Sequence, residues 1–225
     1  MIGRGRVGKT TLLRWAAETA DARGGGPVVC AAADPLNRSL RVYRNDVAEP
    51  RTSDPADVVN FLQELLGQAM EDKFSVLVDL GGGDTSLHRL LAIMPDLADV
   101  MEEAGVAPVA IHVIGSDPHD LVPLASMEAA GFRPRATAIV CNKITGTADQ
   151  FEPVLRHSVV KAALDRGAVQ LWMPALFPDY ARMVDARRLQ FTAVGNDLGP
   201  FAGAGVRGWL KAMATEFGPI ATWLP

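Results

Sequence analysis

The feature that most constrains this chain lies within its first ten residues. Gly3-Arg4-Gly5-Arg6-Val7-Gly8-Lys9-Thr10 matches the pattern G-x-x-x-x-G-K-[ST]. Each residue type has a physical reason to be there. The glycines Gly3, Gly5 and Gly8 let the backbone fold tightly enough for successive N–H groups, those of Arg6 and Val7 included, to converge on phosphate oxygens. A helix starting at the end of the loop turns its positive end toward the same anion. Lys9 then reaches the β- and γ-phosphates, and the Thr10 hydroxyl is placed to ligate Mg²⁺.

Such a loop demands a helix behind it and a buried parallel strand in front. The helix is predicted over Thr10–Arg23, with Leu12, Leu13, Trp15, Ala16 and Ala20 at helical spacing and Gly24-Gly25-Gly26 as its stop. The strand is not there in full, because only Met1 and Ile2 precede Gly3. Either the reading frame starts upstream, with a short extension rich in Val and Ile, or the protein lacks this strand; the first is expected, with the first strand truncated in the sequence as given.

Further along, short apolar runs alternate with helical patterns. Strands are predicted at Pro27–Ala33, Phe74–Val78, Val106–Ile114, Ala136–Cys141 and Ala168–Met173. Ser53-Asp54-Pro55 has the chemistry of a helix start and opens a helix through Val58, Phe61, Leu62, Leu65 and Leu66. Further helices are expected at 85–94, 96–104, 120–129, 150–165, 179–189 and 204–217, and residues 36–54 read as a polar loop. This alternation implies an α/β fold of the phosphate-loop type, a mostly parallel central sheet with helices on both faces. With 225 residues and no internal repeat or linker, one domain over 1–225 is expected.

Two aspartates end strands on the phosphate-loop side. Asp79 closes Phe74–Val78, where it can hold the Mg²⁺ water shell beside Thr10, and Gly82 follows with a backbone N–H able to sense the γ-phosphate. The plainer alternative is a turn residue at a strand end. Asp34, in Asp34-Pro35, is placed to orient the attacking water or bind a Mg²⁺ water, although Asp-Pro is also ordinary turn chemistry. Asp84 reads as a helix cap.

These residues resemble the ParA/MinD family of deviant Walker ATPases. That family's loop reads K-G-G-x-G-K-[ST]-T, against Arg-Gly-Arg-Val-Gly-Lys-Thr-Thr at residues 4–11, and Thr10-Thr11, Asp34-Pro35 and the Asp79 strand recur in the same order. The resemblance implies ATP and Mg²⁺ as ligands and an ATP-dependent homodimer that sandwiches the nucleotide. Arg4 stands where the family has a lysine that reaches the partner's nucleotide, and arginine keeps the charge and can grip phosphate bidentately. Lys9, Asp34 and Arg4 are then the catalytic set, and Thr10 with Asp79 the metal set. Arg6 replaces a glycine and Ala32 a carboxylate, which marks a divergent branch of the plasmid-maintenance or conjugation kind.

Asn142-Lys143-Ile144-Thr145 is similar to the guanine motif N-K-x-D, but Thr145 cannot supply the two carboxylate oxygens that read guanine. ATP is thus expected, with Asn142 near the adenine and Pro174 and the residues after it closing the base pocket; a turn role for Asn142 is the plain alternative. Arg182, Arg187, Arg188, Arg207 and Lys211 give the C-terminal third a basic bias, yet the net charge of −4 weighs against DNA as a partner. The apolar stripe Val206, Trp209, Leu210, Met213 and Phe217 has too few basic neighbours for a membrane helix and is expected to dock on the sheet. Two cysteines in buried strands exclude a disulfide framework and suit the cytoplasm. The function expected is an ATP-driven dimerising switch with slow hydrolysis, working with an unidentified partner protein in partition, conjugation or intracellular positioning. The alternatives are a small-molecule ATP-dependent ligase or kinase, and a non-hydrolysing nucleotide-dependent adaptor.

Overall fold

The computed structural model describes residues 1–33, 40–82 and 85–225. The expectations for Asp34, Pro35, Gly83 and Asp84 fall outside the described residues. Among the described residues six parallel strands form the sheet: β1 (Val28–Ala32), β2 (Val47–Ala48), β3 (Ser75–Asp79), β4 (Val109–Ile114), β5 (Ala136–Asn142) and β6 (Val169–Met173). They pair in two sets of three, β2-β1-β3 and β4-β5-β6. Met1 and Ile2 join the sets. The Ile2 N–H donates to Ile111 and the Val113 N–H to Ile2, both at 2.8 Å, while the Leu80 N–H reaches the Met1 carbonyl from β3 at 3.3 Å. Met1 and Ile2 thus lie in the middle of the sheet, paired on both sides.

The helices are α1 (Lys9–Arg23), α2 (Pro55–Asp72), α3 (Ser86–Ile93), α4 (Leu97–Glu103), α5 (Val122–Ala129), α6 (Ala148–Leu155), α7 (Ser158–Asp165), α8 (Pro178–Arg187), α9 (Val194–Asp197) and α10 (Gly199–Glu216). Both faces of the sheet are covered. Ala138 and Val140 of β5 pack toward Leu12 and Leu13 of α1 and Val206, Trp209 and Met213 of α10. Ile139 and Cys141, pointing the other way by strand alternation, meet Phe151 of α6 and Val160 of α7. The expected docking of the C-terminal stripe is therefore what the structure has, with Phe217 stacked on Trp15 at 4.8 Å. Among the described residues no helix is long and apolar enough to cross a membrane.

Local chemistry accounts for the boundaries. Asp54 caps α2 by accepting the Ala56 N–H at 2.8 Å, with Pro55 in the first turn, an arrangement that stabilises a helix by about 1 kcal/mol. The single helix expected over 150–165 is two helices. Pro153 sits inside α6, and His157 leaves helical geometry to cap α7, its ring nitrogen accepting the Val159 N–H at 3.3 Å. Within the stretch read as loop, Val47–Ala48 adds a two-residue strand to the edge of β1.

One buried side chain ties α1 to two segments at the surface. Arg14 is 4% exposed and its guanidinium lies 3.3 Å from the Tyr43 ring centre and 4.4 Å from that of Phe191. It donates to Asp185 at 3.2 Å and to the Leu189 carbonyl at 3.0 Å. Cation–π stacking and an ion pair together offset the burial of its charge.

Candidate phosphate-binding site

The loop leaves the sheet between β3 and β4, at the carboxyl ends of the strands, where open α/β sheets place their ligands. Gly3 starts it at φ 154°, so close to β4 that a Cβ there would lie 2.3 Å from the Val113 carbonyl oxygen. Gly8 ends it at φ 100° and is the residue before α1. It brings no capping side chain, and the first turn of α1 carries no acidic residue, so the positive end of the helix is turned to the loop without a fixed anion.

Arg6 has φ 67°, a left-handed backbone that L side chains adopt at a cost of about 1–2 kcal/mol. This is the position where the resembling family has glycine, and the loop keeps a glycine-like conformation despite the substitution. Val7 anchors the loop by burying its side chain in the core, whereas Arg4, Gly5 and Arg6 are exposed.

Lys9 is 7% exposed, and its ammonium donates to the carbonyls of Gly3 and Arg4, each at 2.9 Å. The Thr10 hydroxyl donates to Asp79 Oδ2 at 2.7 Å, which joins the first turn of α1 to the end of β3. Asp79 Oδ1 is buried with no hydrogen-bond partner among the described residues. Such an orphaned carboxylate oxygen beside a threonine hydroxyl fits Mg²⁺, a hard cation that takes one or two carboxylates together with phosphate oxygens and water. Thr11 follows, half-buried in α1.

The Met1 amine lies next to this group, donating to the Val78 carbonyl at 2.6 Å. Burial pushes its pKa down to about 6; Asp79 pulls it back up, and Lys9 pushes it further down.

Gly82 meets the loop from the β3 side. A Cβ there would lie 2.3 Å from the Gly5 nitrogen and 2.6 Å from its Cα, so only glycine lets these backbones touch. Asn142, at the end of β5 and 3% exposed, closes the opposite side. Its Nδ2 donates to the Val7 carbonyl at 2.7 Å, and its Oδ1 accepts the Ile144 N–H at 3.1 Å. The same amide fills the space over Gly8, 2.4 Å from where a Cβ would be. Asn142 therefore holds both the loop and its own turn. Pro174 follows β6, and its carbonyl accepts the Trp209 indole N–H at 2.9 Å.

Thr145, which stands where a guanine-reading carboxylate would be, donates its hydroxyl to the Asn142 carbonyl at 2.7 Å. Asp120 had no signal in the sequence. It pairs with Arg4 at 3.3 Å, so the cation expected to reach across a dimer is held within its own chain here. Asp120 also fills the space over Gly115, the residue after β4, with an oxygen 2.3 Å from a hypothetical Cβ. Two of the basic residues of the C-terminal third have local partners: Arg182 pairs with Asp179, and Arg187 donates to the Asp197 carbonyl at 2.9 Å.

The structure thus brings Gly3, Gly5, Gly8, Lys9, Thr10, Asp79, Gly82 and Asn142 into one constellation at one end of the sheet. No protein-family model and no curated protein matches the sequence. Solved structures of similar fold include the signal recognition particle receptor FtsY from Elizabethkingia anophelis, at 15% identity and TM-score 0.48, covering 92% of this chain and 63% of that one. A second crystal of that receptor, in complex with GDP, has 18% identity and TM-score 0.46 over 75% of this chain and 54% of its own. Chloroplast FtsY from Physcomitrella patens has 16% identity and TM-score 0.49 over 90% of this chain and 61% of its own. The chain spans about three-fifths of the length of these structures.

Proposed function

We propose that the protein is a Mg²⁺-dependent phosphate-loop ATPase whose ATP-bound form pairs with a second copy and whose slow hydrolysis resets it. In this reading it serves as a switch in plasmid or chromosome partition, conjugation or intracellular positioning, with a partner protein that reads the ATP-bound state. The observation that carries the reading is the Thr10–Asp79 hydrogen bond at 2.7 Å beside a loop whose lysine is folded over its own carbonyls. Those carbonyls are weak stand-ins for phosphate oxygens, and an incoming triphosphate gives Lys9 a better acceptor.

The roles follow from position. Lys9 neutralises the β- and γ-phosphates, and the loop backbone from Gly3 to Gly8 cradles them. Thr10 and Asp79 would hold Mg²⁺, which when bound polarises the phosphate oxygens. Asp34 orients the attacking water, a role taken from the sequence resemblance. Arg4 exchanges Asp120 for a phosphate, on its own nucleotide or its partner's. Adenine is preferred because the Thr145 hydroxyl offers one oxygen where guanine needs two carboxylate acceptors.

The test uses Lys9→Ala and Asp34→Ala with ATP and GTP in parallel, reading nucleotide binding by calorimetry, phosphate release, and size by gel filtration. Lys9→Ala abolishes binding; Asp34→Ala binds ATP, dimerises and releases no phosphate. If both variants turn over ATP like the parent, the mechanism is refuted. ATP-dependent dimerisation without phosphate release in the parent assigns it instead as a non-hydrolysing adaptor, the reading favoured by buried Ala32 in place of a carboxylate.

A further inference from the structure

A nucleotide bound in the phosphate loop has a direction. With Mg²⁺ and the γ-phosphate at Thr10, Asp79 and Gly82 on the β3 side, its nucleoside end points the other way, toward β5 and β6. There Asn142 and Met173 end the two strands side by side. Asn142 bonds the Val7 carbonyl at 2.7 Å, and the Met173 sulfur lies 3.9 Å from where a Cβ on Gly8 would be. The turn that leaves β6 at Pro174 therefore starts at the end of the loop. Two carbonyls of this turn are fixed from outside it. That of Met173 accepts the Lys143 N–H at 3.0 Å, and that of Pro174 accepts the indole N–H of Trp209 at 2.9 Å, from 35 residues further on. Trp209 is a rigid anchor, 5% exposed in α10 and tilted against the Phe191 ring with centroids 4.7 Å apart. A second contact with α10 holds the far end of the turn. The Tyr180 ring lies so close to Gly205 that a Cβ there would run into it, and Phe177 rests its own ring on Tyr180 at 5.2 Å. Between these two holds, Ala175 and Phe177 stay exposed.

We propose that Trp209 is the positioning residue for nucleobase recognition: its indole N–H holds Pro174, and through it the turn 174–177, as a platform for adenine. The inference rests on the nucleotide reading above and deepens it. Proline has no N–H, so its carbonyl is the one backbone group by which Pro174 can be tied down by a hydrogen bond. The packing of the ring does not by itself call for tryptophan, since a phenylalanine also fills an apolar site against Phe191; the N–H is the part that reaches the turn. What the turn then offers is apolar and aromatic, Ala175 and Phe177, which suits the flat face of a base. A turn free to move would lose that surface to solvent, whereas a turn clamped by α10 presents it without an ordering cost at each binding event.

The experiment separates the base from the phosphates. Calorimetry with Mg²⁺ measures the affinity for ATP and for inorganic tripolyphosphate in three forms: the parent, Trp209→Phe, and the protein with benzothienylalanine at position 209, which keeps the bicyclic ring and lacks the N–H. The expected result is ATP affinity weaker by about fivefold or more in both altered forms, the scale of one lost hydrogen bond, with tripolyphosphate affinity unchanged. Equal weakening for the two ligands overturns the proposal, because a residue that only supports the fold would loosen the phosphate loop as much as the base side. Unchanged ATP affinity in the benzothienylalanine form overturns it as well. A parent that binds tripolyphosphate as tightly as ATP, or binds neither, overturns the nucleotide reading and the proposal with it. A parent whose preference for ATP both altered forms retain overturns the proposal alone.

Discussion

Acid should weaken this protein through one histidine under the phosphate loop. His112 lies on β4 directly beside Ile2, 2% exposed, and its Nδ1 has no hydrogen-bond partner among the described residues. Burial drives its pKa from 6.5 down to about 3, with smaller pushes in the same direction from the Met1 amine and Arg166. In the unfolded chain the ring keeps its ordinary value, so between the two pKa values the unfolded state binds a proton that the folded state refuses. Stability is full above about pH 6.5 and falls as pH drops toward 3. At about 1.4 kcal/mol per pKa unit, the loss is about 2 kcal/mol by pH 5 and about 3 kcal/mol by pH 4. His112→Leu removes the group and leaves every other titration in place. Urea unfolding at pH 7 and pH 5 should therefore show the parent losing about 2 kcal/mol more than His112→Leu over that interval. Equal losses in the two proteins, or an imidazole titration near 6.5 by NMR, would refute the claim that burial governs this ring.

Three further outcomes follow from the loop. Arg6→Gly removes the left-handed strain at φ 67°, less the backbone entropy glycine gives up, and should raise thermal stability by up to about 1 kcal/mol without weakening nucleotide binding; a drop in melting temperature would count against it. Gly8→Ala forces a Cβ to 2.4 Å from Asn142 Nδ2 at φ 100°, and should abolish nucleotide binding in calorimetry and cost about 1–3 kcal/mol in urea. Asn142→Ala leaves the buried Val7 carbonyl without its donor and should cost about 1–3 kcal/mol, with weaker ATP binding on top. Unchanged affinity there would show that the amide does not hold the loop in its binding shape.

The sequence announced what depends on short-range chemistry. The loop, its helix, the Asp54 cap and five of the apolar runs could be read because glycine spacing, capping residues and buried-strand runs are local signals. Thr10 and Asp79 could be paired because the motif supplies the contact that a separation of 69 residues conceals. Asp120 stayed hidden, since nothing near it in the chain predicts a partner 116 residues away. The break at His157 was obscured because Val159, Val160 and Ala163 continue the apolar spacing across it, and only the backbone reveals the turn. Arg6 shows a different limit: the sequence flags a misplaced side chain, but the left-handed angle that makes it matter belongs to the folded loop.

The contact between Gly82 and Gly5 has a mechanical consequence. Two main chains meet with no side chain between them to act as a spring, so a displacement on one side passes undamped to the other. The segment after β3 is thereby a feeler resting on the loop. A single added methyl group at residue 82 would part the two backbones and lift the feeler from the loop.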